Sequence, residues 1–223
     1  MTIDNPTSRS RVRRIPERGR YDPEAIDAIL DAGFLCHVGY ISDGQPYVTP
    51  TLYWRHGDHV YWHGARASRM LQTLEQGADV CLTVSLVDGF VLARSAFHHS
   101  VNYRSVMLFG TAEAVAEEHA KAAALEDFME RLFPGRWRAL RPVTRPELNA
   151  TTVLRLPITE GSAKIRTGPP KDAEEDCAWP VWAGILPVET ALGLPLPADG
   201  MPAQTSEPDY LQRLPHLNLH SPS

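Results

Sequence analysis

The stretch RSAFHHSVNYRSVMLFGT, residues 94–111, decides the fold class, because its polar first half runs directly into an alternating apolar second half. Two sets of side chains alternate from residue 106 onward, namely Val106, Leu108 and Gly110 on one side and Met107, Phe109 and Thr111 on the other. A period of two indicates a β-strand with two distinct faces. Because polar side chains crowd its entry end, the strand is predicted to form the wall of a binding cleft. The alternative is a solvated strand end.

Several side chains of this stretch suit a planar, anionic ligand. Arg104 carries a fixed fork of donors for phosphate or carboxylate, and Tyr103 offers a flat apolar face with a polar tip. His98 and His99 stand at the entry of the strand and, like His63, are candidates for proton transfer, because imidazole changes its charge near neutral pH. The alternative for each histidine is a hydrogen-bonded residue at the rim of the cleft.

Further short strands lie on both sides of this stretch. The composition of residues 42–45 and 56–58 is typical of turns, so the chain from residue 34 to 63 is predicted to be a meander of antiparallel strands. The predicted strands are residues 34–41, 46–55, 59–63, 80–87, 90–93, 151–156 and 162–167, with a last apolar piece over 181–188. Asp88-Gly89 is a hairpin-turn signal between two of them.

Three segments have helical spacing instead. A helix with Asp22 as its cap is predicted to end at Gly33. A short helix runs from Ser68 to Gly77, and a long one covers residues 116–133. We therefore expect a mainly β protein, a small closed or split β-barrel of six to seven antiparallel strands with one long and two short helices.

The loop before the short helix, His63–Arg69, is predicted to bind a phosphate. It combines a glycine, a serine and two arginines at the start of a helix. Free backbone N–H groups and the helix dipole favour anions at such a place. Arg66, Ser68 and Arg69 are the candidate contacts, and the alternative is an ordinary surface loop. Lys164 and Arg166, which share one side of a later strand, are either further anion contacts or a solvated face.

Composition excludes several function classes. The chain has 223 residues and a formal net charge of −5, which does not suggest a general nucleic-acid role. No apolar run approaches the roughly 20 residues that span a bilayer, and residues 1–10 lack the apolar segment of a signal peptide. Three cysteines without a C-x-x-C pattern predict neither a disulfide framework nor a zinc site, so a reducing cytoplasm is expected. His59 and His63 would lie about 13 Å apart on a strand, too far to share a metal ion.

The two ends of the chain differ from its middle. Six arginines fall between residues 9 and 20, which predicts a basic arm, residues 1–20, that lies over a neighbouring subunit or an anionic ligand. The barrel domain is expected over residues 21–190. Residues 191–223 are rich in proline and short polar side chains and are predicted to form an extended tail. The apolar surface of helix and strands favours a homodimer.

Five motifs in order resemble a known family. They are GQPYVTP (44–50), YWHGARASRML (61–71), NYRSV (102–106) followed by Gly110, SAKIRTGPP (162–170) and WAGILP (182–187). Together they are similar to the flavin-nucleotide-binding branch of the pyridoxamine 5′-phosphate oxidase-like superfamily, near the nitroimidazole-resistance proteins. The resemblance covers roughly residues 10–190. It lacks the carboxy-terminal substrate motif of true pyridoxamine phosphate oxidases, so vitamin B6 oxidation is not expected.

The resemblance implies a split barrel and a homodimer with FMN at the subunit interface. By that resemblance Arg66, Ser68 and Arg69 hold the flavin phosphate. The same cleft would be lined by Asn102, Tyr103, Arg104 and Ser105. Lys164 or Arg166 would join the anion contacts, and Trp182 would pack near the ring or the dimer seam. His63 corresponds to a histidine that is thought to react in the nitroimidazole-resistance relatives.

Two functions follow from these observations. The first is an FMN-dependent oxidoreductase that converts a small organic molecule, such as a nitro compound or quinone. Because no dinucleotide fingerprint is present, NAD(P)H would bind only transiently as the reductant. The alternative is a non-catalytic flavin or haem binding protein for storage or sensing.

Overall fold

A computed structural model describes residues 6–202 and 204–212 of the chain. Within these ranges it contains ten strands and six α-helices. The strands are β1 (Gly19–Arg20), β2 (Leu35–Ser42), β3 (Gln45–His56), β4 (His59–Ala65), β5 (Asp79–Leu92), β6 (Ser100–Thr111), β7 (Glu113–Ala114), β8 (Thr151–Pro157), β9 (Gly161–Arg166) and β10 (Gly184–Pro187). The helices are α1 (Pro23–Ala32), α2 (Arg69–Glu75), α3 (Glu118–Leu132), α4 (Arg136–Ala139), α5 (Arg145–Ala150) and α6 (Asp209–Gln212).

The mainly β fold expected from the sequence is confirmed, because the strands form one curled antiparallel sheet with helices at its sides. The strand order is β1-β9-β6-β5-β2-β3-β4-β8-β7, and β10 adds to β5. Three of the ten strands, β1, β7 and β10, have four residues or fewer, which is why the sequence signalled only six to seven. The helices α4 and α6, which the sequence did not show, have four residues each and are too short to show a helical period.

The main core lies inside the curl of the sheet and is closed at one side by α1. Asp22 caps α1 by accepting a hydrogen bond from the backbone N–H of Ala25 at 2.9 Å, as its position before Pro23 predicts. The buried face of α1 comprises Ile26, Ile29 and Leu30, each at most 1% exposed. The fully buried aromatic residues Tyr53 and Trp62 belong to the strands facing this helix. The apolar periods read from the sequence therefore define the inside of the barrel.

A second, smaller core lies under α3. Trp54 and Val153 project from β3 and β8 on the side opposite the main core and pack with Phe128 and Ala124 of the helix. Glu117 caps α3 by accepting hydrogen bonds from the backbone N–H groups of residues 119 and 120. The predicted helix, residues 116–133, is confirmed apart from its ends. Helix α3 therefore covers this side of the sheet at β3 and β8.

The hairpin predicted at Asp88-Gly89 is wrong. Strand β5 runs without reversal from residue 79 to 92 and pairs with β6 along both halves, with a β-bulge between Val87 and Gly89. A hairpin would need the chain to turn back on itself, whereas here one extra residue bulges out and pairing resumes. Asp88 occupies the bulge, and its carboxylate contacts Arg104 on the neighbouring strand. The same dipeptide that favours a turn also tolerates a bulge.

The arm at the amino terminus packs on its own barrel. Residues 19 and 20 form β1 against β9, and Ser10 is 2% exposed. Arg9 pairs with Glu160 at 2.6 Å, and its guanidinium lies over the ring of Phe109 at 5.3 Å. The predicted tail, residues 191–223, extends past Pro187 and forms the short α6, while residues 203 and 213–223 lie outside the described part. The division into arm, barrel and tail stays a prediction.

Candidate functional site

The predicted phosphate loop lies exposed between β4 and α2. Arg66 and Arg69 are exposed, and Ser68 stands at the cap position of α2 without a side-chain cap bond. The guanidinium of Arg69 lies over the ring of Tyr47 at 4.6 Å. Within the described part of the chain no carboxylate pairs with Arg66 or Arg69. Because α2 has only seven residues, its dipole is short, and the two guanidinium groups are the main positive charges of this loop.

Arg104, in contrast, is already neutralised. Its Nε donates to Asp88 Oδ2 at 3.0 Å and its Nη2 to Oδ1 at 2.7 Å, and both side chains are 10% exposed. A bidentate, charge-assisted pair of this kind is among the stronger hydrogen bonds in proteins. Arg104 therefore fixes the bulge of β5 and is committed to Asp88 in this chain. The sequence could not show this, because it predicted a turn at Asp88.

Arg166 and Asn102 also bond to each other. Asn102 accepts from Arg166 Nη1 and donates to the carbonyl of Gly168 at 3.3 Å. Arg166 further donates to the carbonyls of Gly168, at 3.0 Å, and Pro169, at 3.3 Å. Burial and the nearby Arg18 lower the pKa of Arg166. These two predicted site residues hold the turn after β9 in place.

Tyr103, Ser105 and Lys164 lie on the opposite face of the sheet from Arg104. Ser105 Oγ donates to the Lys164 carbonyl at 3.3 Å, and Lys164 Nζ donates to the carbonyl of Arg14 in the arm at 3.0 Å. Tyr103 stands directly across from Val87, which is 47% exposed. These side chains share a face with the exposed residues of β5. Their role as the wall of a binding cleft stays a prediction.

The same face continues across four strands and carries most of the exposed apolar side chains of the barrel. We call it the outer sheet face and define it by Leu35, Ile41, Val48, Leu52, Val87 and Met107, which are between 40% and 68% exposed. His37 lies among them, opposite Pro50 and Thr83, and no hydrogen bond is formed by its ring within the described residues. A cleft of about 290 Å³ opens beside His37, between Leu35, Val87 and the tail at Val188.

His37 was missed by the sequence reasoning. Its signal was available, since it alternates with buried Cys36 and Val38 on β2 and so had to face outward. Without the register between strands, nothing indicated that its neighbours on that face are apolar.

The two groups of predicted site residues do not meet within one chain. The phosphate loop contacts Tyr47, which pairs with Tyr40 and through it with Val80 at one end of β5. Tyr103 pairs with Val87, seven residues further along the same strand, or about 23 Å at the usual rise per residue. Within one subunit the two groups therefore do not share a cleft, and the cleft expected at the subunit interface stays a prediction. The sequence could not reveal this, because it fixes neither register nor direction.

His63 lies under α3. Its ring packs edge-on against Phe128 with the ring centres 4.8 Å apart and against Trp54 at 5.9 Å. Nδ1 is buried without a hydrogen-bond partner among the described residues, and burial lowers the pKa of the imidazole. These are the surroundings of a half-buried packing residue. The role of His63 in the chemistry stays a prediction.

Trp182 lies 65% exposed just before β10. Its indole covers Gly184, where a Cβ would come within 2.7 Å of the ring. Gly184 pairs with Leu92 at the end of β5, so Trp182 stands near the segment that carries His98 and His99. Only glycine allows the indole to lie this close to the strand.

Two further classes of site find no support in the described residues. They contain no cluster of three or more histidine, cysteine, aspartate or glutamate side chains that could hold a metal ion. The three cysteines are free thiols, and burial raises the pKa of Cys36 to about 12.

Among the helices of residues 6–202 and 204–212, none combines the length and apolarity needed to cross a bilayer.

The curled antiparallel sheet with α1 and α3 at its sides defines the class of the protein, a split-barrel protein. The family model for pyridoxamine 5′-phosphate oxidase matches residues 22–165, and the chain belongs to this family. The resemblance seen in the five sequence motifs is thus confirmed.

Solved structures give the same assignment. The chain is similar to the flavocytochrome Anf3 of Azotobacter vinelandii, with 47% identity, a TM-score of 0.90, and coverage of 95% of this chain and 98% of that chain. It is also similar to the FAD and heme binding protein of Mycobacterium smegmatis, with 38% identity, a TM-score of 0.86, and coverage of 92% and 100%. A putative 5-nitroimidazole antibiotic resistance protein from Bacteroides thetaiotaomicron shares the fold at 24% identity, with a TM-score of 0.56 and coverage of 66% and 86%. No functionally curated protein matches the chain.

Proposed function

We propose that this protein is a homodimeric redox protein that binds a flavin nucleotide and a haem. The observation that carries the proposal is similarity along nearly the whole chain to two proteins whose names state these groups, a flavocytochrome and an FAD and heme binding protein. Because the similarity extends over 95% and 92% of this chain, it includes the barrel together with part of the arm and part of the tail. The sequence alone favoured FMN, and FAD shares with it the ring and the phosphate that the site must accept.

Arg66, Ser68 and Arg69 bind the flavin phosphate in this proposal. Their chemistry fits the group, since two exposed guanidinium groups lie beside a serine hydroxyl and no carboxylate pairs with them in the described part of the chain. Arginine offers phosphate a planar fork of donors. Arg104 and Arg166 are unsuited to the same task, because Asp88 and Asn102 already occupy their donors.

A second copy of the chain completes the site. Along β5 the phosphate loop lies about 17 Å from Ser105 and about 23 Å from Tyr103, which favours a flavin site in which the two groups come from different subunits. The outer sheet face supports this arrangement, because large exposed apolar patches mark interaction surfaces. A two-fold axis would bury this face against itself.

The bound flavin would supply hydride and electron transfer, and the protein would supply its position and electrostatic environment. Arg66 and Arg69 neutralise the phosphate, while Tyr103 and Ser105 offer an aromatic face and a hydroxyl on the open side of the sheet. We propose an oxidoreductase acting on a small organic molecule such as a nitro compound or quinone, with NAD(P)H as a transient reductant. A non-catalytic binding or sensing role is the second candidate, favoured by the position of His63, the predicted catalytic residue, whose ring packs against Phe128 and Trp54 under α3.

The visible spectrum and the mass of the released cofactors test the proposal. Purified full-length protein, supplied with haem and flavin during expression, is expected to show flavin bands and a Soret band. Mass spectrometry after denaturation then distinguishes FAD from FMN, and light scattering gives the mass of the particle. Anaerobic bleaching by NAD(P)H followed by recovery with a quinone separates an oxidoreductase from a binding protein. Colourless or monomeric protein contradicts the proposal.

Replacing Arg66 and Arg69 by alanine tests the phosphate site. Each charge-assisted hydrogen bond contributes about 1.5–3 kcal/mol, so losing two weakens flavin binding by about 10²–10⁴-fold. The dimer should persist. The matched control replaces Arg138 and Arg145, which are also exposed, and removes the same charge elsewhere. Equal flavin occupancy in both variants refutes the assignment.

A further inference from the structure

The segment between β5 and β6 is held in one conformation by buried polar contacts. Arg94 donates through its backbone N–H to Asp172 Oδ1 at 2.7 Å and through Nη1 to Oδ2 at 2.6 Å. The side chain of Asp172 is 4% exposed, and the hydrogen bond from the Arg94 backbone lowers its pKa. A short turn follows at residues 96–98 and leads into β6. The segment that carries His98 and His99 is therefore anchored at its start by the contacts between Arg94 and Asp172.

The ring of His99 has a defined tautomer. Its Nδ1 lies 2.9 Å from the backbone carbonyl of Ser95. A carbonyl oxygen can only accept, so Nδ1 carries the proton and donates it. In the neutral ring this leaves Nε2 with a free lone pair, and the side chain is exposed. Histidines that ligate metals almost always have this arrangement, with the second nitrogen donating to a carbonyl or carboxylate that orients the ring.

The neighbouring His98 is not fixed in the same way. Its Nδ1 lies 2.8 Å from the hydroxyl of Ser95, which can donate or accept, so the contact selects no tautomer. His98 is also partly covered, with its ring edge-on to Phe97 at 5.3 Å. An iron ligand requires a nitrogen with a free lone pair. The tautomer of His99 leaves Nε2 free in this way, whereas no tautomer of His98 is selected.

Apolar surface for a porphyrin lies beside His99. Phe97 is 89% exposed, Phe90 of β5 is 50% exposed, and Trp182, two residues before the start of β10, is 65% exposed; β10 and β6 both pair with β5 at this end of the sheet. His56 and His59 also have a bonded Nδ1, to Asp127 and Asp58. Between residues 53 and 86, however, the described chain exposes no large hydrophobic side chain, whereas Phe97 is exposed two positions from His99.

From these contacts we propose that Nε2 of His99 ligates the iron of the haem, with Phe97 beside it as apolar surface for the porphyrin. The inference rests on the proposed haem binding and adds the residue that performs it. His99 holds the iron through an imidazole whose orientation is set by the Ser95 carbonyl. Flavin binding belongs to other residues, the phosphate loop at Arg66 and Arg69, so the two cofactors can be lost separately.

Replacing His99 by glycine, with His98→Gly as the matched control, tests this assignment by haem content and absorption spectrum. We expect the His99→Gly variant to lose haem at least about tenfold, or to shift its Soret band, since removing even an orienting partner of a ligand costs about 10–100-fold in affinity. Added imidazole should restore the spectrum by filling the place of the lost ring. His98→Gly should resemble the parent, and both variants should keep their flavin.

The outcomes separate the two proposals. An unchanged Soret band and haem content in His99→Gly, with no response to imidazole, overturns the assignment of His99 while haem binding itself stands. Loss of haem in His98→Gly alone overturns it as well. A parent protein that takes up no haem when titrated with haemin refutes the proposed haem binding itself.

Discussion

Replacing Asp88 by asparagine should destabilise the barrel strongly, although it changes one atom of the side chain. The substitution keeps the shape of Asp88 and the bulge of β5 but removes the carboxylate that faces Arg104. The guanidinium then stays at a position where its side chain is 10% exposed, with its charge no longer balanced by Asp88. An uncompensated buried charge is costly because water cannot reach it.

The magnitude follows from the burial of the pair. Breaking a buried ion pair by removing one partner costs about 3–5 kcal/mol, and at 10% exposure for both partners little of this is screened by solvent. For a chain of 223 residues that loss corresponds to a decrease in Tm of about 6–20 °C. The surface pair Arg155–Glu113, with side chains 41% and 52% exposed, has similar geometry at 2.8 Å and should contribute at most about 1 kcal/mol.

Urea denaturation at one protein concentration measures both free energies of unfolding. Glu113→Gln is the matched control, since it removes one carboxylate from an arginine on the surface. Adding Arg104→Met to Asp88→Asn should recover part of the loss, because the buried guanidinium charge that Asp88 balanced is then removed as well. If Asp88→Asn unfolds with the same free energy as Glu113→Gln, the pair is not buried in solution and the described bulge is wrong.

Two further predictions concern buried groups. Burial lowers the pKa of His63, so the unfolded chain takes up the proton first as the pH falls, and the free energy of unfolding decreases from about pH 6.5 down to the pKa of the folded state by at most about 1.4 kcal/mol per pH unit. His63→Phe should flatten this dependence in urea titrations at several pH values, and an unchanged slope would assign it to other groups. Gly33→Ala should cost about 1–3 kcal/mol, because its Cβ would lie 2.6 Å from the hydroxyl oxygen of Tyr53. Tyr53→Phe removes that oxygen, so the double variant should lose less than the sum of the two single losses, and simple additivity would contradict the clash.

The periodic segments of the sequence were sufficient to predict most of the fold. Alternation located β6 and the strands of the meander, and the cap at Asp22 located α1 to within a residue. Local signals suffice here because burial on one face imposes a period of two on strands and about 3.6 on helices. The Asp88-Gly89 signal failed because turn propensity is local, whereas pairing of both halves of β5 with one neighbour is not.

The site was predicted less completely, for a related reason. Arg66 and Arg69 are exposed cations that no carboxylate pairs with in the described residues, whereas Arg104 and Arg166 looked equally available in the sequence but are bonded inside the fold. Their partners, Asp88 and Asn102, are 16 and 64 positions away along the chain. Which arginine is bound internally depends on which strands lie side by side.

By itself the sequence determined the split-barrel class, its family and the cap of α1, because each depends on neighbours a few positions away. Only the tertiary structure decided that Arg104 is neutralised, that His37 faces outward among apolar side chains, and that the phosphate loop and Tyr103 lie about 23 Å apart along β5. The physical reason is strand register. It sets which distant side chains share a face and which charges meet, and no local period records it.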